Sequence, residues 1–168
     1  MKKIILVVVA LFASISSFGQ ESKESKKGNI QFSVYGGKPV GYLNGDSDFN
    51  GGVSIGYLGN INKIVRVGGS LGYDHSHVKM DSKLKDRVSF EYLMIGGTAE
   101  VDVYQNFYVG ADLGLAFKMD TKSNQTHYFT PKVGYRFTDM INFYAHYKGV
   151  RFSGYQVSSV GLGVSLDF

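Results

Sequence analysis

The stretch Ser159-Val160-Gly161-Leu162-Gly163-Val164-Ser165-Leu166-Asp167-Phe168 closes the sequence. Val160, Leu162, Val164, Leu166 and Phe168 are apolar, and the residues between them are small or polar. Side chains of a strand alternate between faces, so this is a strand with one apolar face. A strand left at the edge of a water-soluble sheet is usually blunted. This one is not, so it is expected to pair on both sides, as the closing strand of a barrel.

The rest of the chain suits that reading. Its 168 residues predict one domain. Cysteine is absent, which excludes disulfides, thiolate metal sites and cysteine-borne lipid anchors. Glycine is plentiful at 22 and proline scarce at 2, as in a regular β-protein. Mean hydropathy is −0.08, yet the apolar residues are spread by alternation rather than gathered in runs, the weak signal of a membrane barrel. Net charge is +4, and removal of Lys2 and Lys3 would leave 16 basic against 14 acidic side chains. That balance gives no footprint for nucleic acid.

Residues 1–19 have a basic start, an apolar run over 4–15 and small residues Ser17 and Gly19. The run is too short for a spanning helix of about 20 residues. It predicts a secretory signal peptide cleaved before Gln20. Residues 20–28 are polar and charged, with nothing to bury, and predict a flexible leader. Strands are then expected at 29–37, 51–59, 64–73, 88–103, 107–118, 128–137 and 141–149, before the final one. Pro131 demands a bulge or a local break in its strand. Breaks at 38–50, 74–87, 119–127 and 150–156 are long, and those at 60–63, 104–106 and 138–140 are short. Eight strands with alternating long and short connections form an all-β, antiparallel up-and-down transmembrane β-barrel over 29–168.

Alternation alone does not say which face is outside, because a soluble lipocalin-like carrier hides its apolar face within. Three features predict apolar-out. The other face is rich in glycine (Gly110, Gly114, Gly134, Gly161, Gly163), which suits a narrow lumen. Its charges nearly balance, with Arg66, Lys132, Arg136 and Lys148 against Glu100, Asp102, Asp112 and Asp167. Charges confined inside must pair, since a lone one costs several kcal/mol. Aromatics also cluster near strand ends on the apolar face, with Tyr73, Phe117, Phe129 and Tyr147 at one end and Tyr57, Phe107, Phe137 and Phe168 at the other. They predict interfacial girdles.

A signal segment, eight alternating strands and a final strand ending in Phe together resemble the small porin-like outer-membrane β-barrel family, the OmpA/OmpX type. The resemblance implies the outer membrane of a Gram-negative bacterium, short periplasmic turns, four external loops and contact with membrane lipid and lipopolysaccharide. It also implies that Gly161, Gly163, Leu166 and Phe168 form a signal for the barrel-assembly machinery. Gly161 stands where the family often has a polar residue. No long extension follows the last strand, so no peptidoglycan-binding domain is expected.

Several constellations carry possible chemistry. Asp46-x-Asp48-x-Asn50-Gly51 is the first half of a calcium loop, but Tyr57 stands where the closing glutamate belongs, so a polar loop is expected. Asp74, His75 and His77 could hold a metal, but no third strong ligand is fixed nearby and a solvated loop is expected. Lys79, Lys83, Lys85 and Arg87 in the same stretch suit a soluble loop or lipopolysaccharide phosphates. His146 is expected to point into the lumen between Tyr144 and Lys148 as a packed residue. Lipid A deacylases of similar architecture carry a His-x-Ser-Asn run that His146-Tyr147-Lys148 does not match. No catalytic, cofactor-binding or metal-binding residue is expected. The feature with most content is the lumen ion set Arg66, Glu100, Asp112, Lys132, Arg136, His146 and Lys148. A filled polar core is expected, with a structural or surface role through loops whose ligand is unknown. The alternative is a narrow pore gated by re-pairing of these charges.

Overall fold

The structure, a computed structural model, describes residues 28–40, 49–81, 84–119, 125–151 and 156–168. The signal segment, the leader up to 27, Asp46, Asp48 and Lys83 lie outside the described residues. Eight strands follow in chain order: β1 (Gly28–Val40), β2 (Phe49–Asn60), β3 (Val65–Asp81), β4 (Leu84–Tyr104), β5 (Phe107–Lys118), β6 (Gln125–Arg136), β7 (Ile141–Arg151) and β8 (Gln156–Asp167). Each is antiparallel to its neighbour, and β8 pairs with both β7 and β1, which closes the barrel. At its end, Phe168 and Ile30 exchange two backbone hydrogen bonds of 2.9 and 3.2 Å.

The short turns, 61–64, 105–106 and 137–140, lie at one end. Asn62 Oδ1 accepts the N–H groups of Ile64 and Val65 at 2.9 and 2.8 Å, so its side chain builds the first turn. Thr138 Oγ1 accepts the N–H of Ile141 at 2.9 Å in the third. Gln105 takes a φ of 47°, and the register shifts between Asp102 and Tyr104. The extra residue and the left-handed position together let a two-residue turn close.

The apolar face is outside. Leu162 is 71% exposed and Val133 56%, while Glu100 is 0% and Ser165 1% exposed. Among the expected girdle residues, Tyr57, Phe107, Phe129 and Phe137 are exposed and Phe117 and Phe168 half-buried. Phe107 meets Tyr135 edge-on at 4.9 Å, and Phe137 meets Phe143 at 6.0 Å.

The structure corrects three readings. The long charged break expected at 74–87 is not a loop, since β3 and β4 run outward and pair from Asp74↔Tyr92 to Lys79↔Arg87. Charges there mimic a loop although the backbone pairing continues. The break expected at 38–50 is likewise shorter, because β1 continues through Pro39, opposite Ser159, beyond the last partner that β1 finds in β2. The leader's Gly28 is already in β1, opposite Gly59. At Pro131 the β6–β7 pairing lapses between Phe129↔Gly149 and Lys132↔His146, yet the register on either side is the same, a local break without a bulge.

The closing seam depends on missing side chains. Gly37 and Gly161 stand opposite each other on the lumen side. A Cβ on Gly161 would lie 2.3 Å from the Gly36 carbonyl oxygen and 2.8 Å from Gly37 Cα. Gly161→Val is therefore expected to destabilise the barrel by about 1–3 kcal/mol through overpacking. Refolding into detergent, where no assembly machinery is present, reads this as a smaller fraction of heat-modifiable protein on gels. Leu162→Val, on the outer face, should refold like the unaltered chain.

Candidate functional site: the lumen ion network

Alternation puts polar side chains of every strand into one narrow interior. Glu100 sits at its centre, fully buried. Its β3 partner in the ladder is Arg66, whose Nη2 is 2.5 Å from Oε2. Its β5 partner is Gly110, which is in turn opposite Lys132 of β6. A Cβ on Gly110 would fall 3.0 Å from Lys132 Cε and 3.1 Å from Glu100 Cγ. The glycine thus leaves a gap through which Lys132 reaches across β5 to Glu100, at 3.1 Å. Lys132 Nζ is also 3.2 Å from Asp112 Oδ1. Arg136 Nη1 stands 3.6 Å from Glu100, and the guanidinium forms an ion pair with Asp102.

The network spans the lumen as well as adjacent strands. Arg66 Nη1 donates to Asp167 Oδ2 of β8 at 2.8 Å, and Gln31 of β1 donates to Asp167 Oδ1 at 2.9 Å. Tyrosines hold the cations from the side. The Arg136 guanidinium lies 4.5 Å from the Tyr108 ring, and Lys132 Nζ lies 5.9 Å from Tyr144. Each of these rings covers a glycine, with Tyr108 over Gly134 and Tyr144 over Gly163, where a Cβ would meet Cζ at 2.3 Å. The rings need the glycines to lie flat against the wall.

A second cluster lies toward the long-hairpin end. Lys148 pairs with Asp74, and Asn50 donates to Asp74 Oδ1 at 2.7 Å. Ser76 also donates to Asp74, and Ser159 donates to Asn50 at 3.0 Å. Asp74, expected in a loop, is a buried lumen acid. Asn50, expected at the end of a polar loop, is buried among these partners and is spoken for by them.

His146 lies between the two clusters, its ring 5.3 Å from Tyr35 and 5.8 Å from Tyr144. Neither ring nitrogen has a hydrogen-bond partner among the described residues. Beyond it, Phe90, Tyr92, Met94, Ala116, Tyr128 and Val150 form an apolar cluster inside the barrel, which sequence reasoning missed. Its signal was present, because Phe90 and Tyr92 continue the inward parity of Met94. A cavity of about 50 Å³ remains, lined by Ser33, Tyr35, Ser54, Ser70, Tyr128 and Lys132 among others. That is room for a few waters.

Of the seven lumen residues singled out in the sequence, the structure joins Arg66, Glu100, Asp112, Lys132 and Arg136 in one network. Lys148 belongs to the second cluster, and His146 makes only ring contacts among the described residues. Of the last-strand residues, Gly161 and Gly163 face the lumen, while Leu166 and Phe168 lie half-buried at the turn end.

An apolar exterior around a salt-bridged interior, in an even-stranded closed sheet, defines a transmembrane β-barrel. The chain belongs to the outer membrane protein beta-barrel domain family, whose profile matches residues 5–168. No curated protein is significantly similar to it in sequence. Among solved structures it is similar to Ail, the attachment invasion locus protein of Yersinia pestis, at 14% identity over 84% of this chain and 97% of that one, with a TM-score of 0.56. It is also similar to Neisserial surface protein A, at 18% identity over 87% and 100% of the two chains, with a TM-score of 0.53. The N-terminal barrel of Pseudomonas aeruginosa OprF shares 18% identity over 84% and 99%, with a TM-score of 0.52. At these identities the likeness is one of fold.

Removing Glu100 would leave the cations around it without their shared acid. Glu100→Ala is expected to cost about 3–5 kcal/mol, the usual penalty for breaking a buried pair from one side. Glu100→Gln/Lys132→Met, which removes one charge of each sign, should cost less than Glu100→Ala alone. Urea unfolding of the three proteins in lipid vesicles, followed by tyrosine fluorescence, checks the order.

Proposed function

We propose that this protein is a plugged outer-membrane barrel whose role is structural or adhesive, exercised through the loops at its long-hairpin end, and that it is not an enzyme. The observation that carries this is the lumen itself. Two ion clusters and an apolar cluster fill it, and eight-stranded interiors are just wide enough for side chains to do so. In this reading the long-hairpin end faces outward. Lipopolysaccharide meets its basic residues, and the last strand, ending at Phe168, is read by the assembly machinery. The name of one fold relative, an attachment and invasion protein, supports surface attachment as the kind of role.

A narrow pore is the second reading, and one observation favours it. An open recess of about 490 Å³ at the turn end is lined by Asn60, Lys63, Arg66, Asp102 and Arg136, so a vestibule leads to the ion network. Planar-bilayer recording separates the two. The plugged barrel is expected to give no steady conductance, and Arg136→Gln no change. A steady open channel that Arg136→Gln abolishes would sink the plugged reading. Surface biotinylation of lysines in the 74–87 segment on intact cells checks the orientation, with labelling expected only if that end is external.

A further inference from the structure

The outward face of the β3–β4 hairpin changes character just past Tyr73. Tyr73 is opposite Leu93, but the next outward pairs are His75↔Glu91 and His77↔Ser89. The two imidazoles meet edge to face, with centroids 4.4 Å apart. Their Nε2 atoms converge to 2.9 Å. Their Nδ1 atoms point to different partners. That of His75 is 3.4 Å from Glu91 Oε1, and that of His77 is 2.8 Å from Ser89 Oγ.

The geometry points to a two-histidine site for a divalent transition-metal ion of the copper class, on the outer rim of the barrel, with His75 and His77 as ligands through Nε2. Glu91 and Ser89 are positioning residues. Histidines that bind a metal through one ring nitrogen almost always donate the other N–H to a carboxylate or another oxygen. His77 has such a partner in Ser89, the Glu91 carboxylate stands 3.4 Å beyond His75 Nδ1, and the two rings converge on the near side. Spacing sharpens the choice of ion. With metal–nitrogen bonds of about 2.0–2.1 Å, two ligands at a right angle lie about 2.9 Å apart, and two at the tetrahedral angle about 3.3 Å apart. The observed 2.9 Å matches the right angle of a tetragonal Cu2+ or Ni2+ centre. No group of three or more His, Asp or Glu able to hold a metal occurs among the described residues. The described residues therefore supply two ligands, and water takes the other positions, which makes the ion exchangeable. The sequence had suggested Asp74 as the carboxylate, but Asp74 turns inward to Lys148. Glu91, across the hairpin, takes its place beside the histidines.

Without metal, the same contact is a single N–H···N hydrogen bond between the rings, and the two states are separable. The full chain, refolded in detergent at neutral pH, is titrated with CuCl2, NiCl2 and ZnCl2 by calorimetry and by Cu2+ electron paramagnetic resonance. The expected result is one Cu2+ with two coordinated nitrogens, bound more tightly than Ni2+ or Zn2+. His75→Ala and His77→Ala should each weaken it by at least about 10-fold, Glu91→Gln by about 10-fold, and Glu91→Asp should recover most of that loss. His127→Ala should change nothing. Heat-modifiable mobility should be unaltered throughout, because these side chains face away from the lumen. In the unaltered chain, Cu2+ should protect His75 and His77 from diethyl pyrocarbonate, read by mass spectrometry, so the test does not depend on any variant folding. Copper bound equally well by the His75→Ala/His77→Ala double variant, or no protection of these rings, would overturn the site.

Discussion

Glu100 has no exposed surface, and Arg66, Lys132 and Arg136 stand within 3.6 Å of it. A single carboxylate removed from water would cost several kcal/mol. Here the cost is offset by cations that come from two different strands on either side of it, β3 and β6, rather than from its own ladder alone. Each cation is held by a second acid: Arg66 by Asp167, Lys132 by Asp112, Arg136 by Asp102. The pairs therefore tie β3 to β4, β4 to β6 and β3 to β8. Backbone ladders can join only adjacent strands. The ion network joins strands that are not adjacent, and so opposes any change in the barrel's cross-section.

The glycines belong to the same constraint. Lys132 cannot reach Glu100 unless the residue between them on β5 lacks a side chain, and Gly110 meets that need. Arg136 packs on Tyr108 because Gly134 lets that ring lie against the wall. Glycine in a strand ordinarily weakens it. In this lumen each such glycine exchanges local strand stability for the approach of a ring or a charged chain. The high glycine content is thus the geometric counterpart of the charge pairs.

Much of this was legible from period two alone. Strand number, the inward parity of Arg66, Glu100, Lys132 and Lys148, and the outward parity of the apolar residues all follow from alternation, which a closed sheet preserves. Which acid meets which cation was not legible, because that depends on stagger between strands and on contacts across the lumen that leave no local pattern. Asp74 was misplaced for a different reason. A charged residue next to two histidines looks like a loop, and only its partner Lys148, far away in sequence, makes it a buried strand residue. The inner cluster around Tyr92 was less legible because most of the inward face is small or polar, so large apolar side chains such as Phe90 and Tyr92 break its pattern there.

The same parity that buries Asp74 exposes its neighbours. Asp74 and Ser76 turn in, so His75 and His77 must turn out, on a stretch of the outer face where the apolar band has ended but the ladder has not. A loop at these positions would let the two rings drift apart. A paired strand instead repeats its side chains every second residue on one face, and the partner strand sets Glu91 and Ser89 directly opposite. The extension of β3 and β4 beyond the membrane band is therefore what turns two nearby histidines into a fixed pair of ligands. The lumen network beneath, through Asp74 and Lys148, anchors the base of that extension.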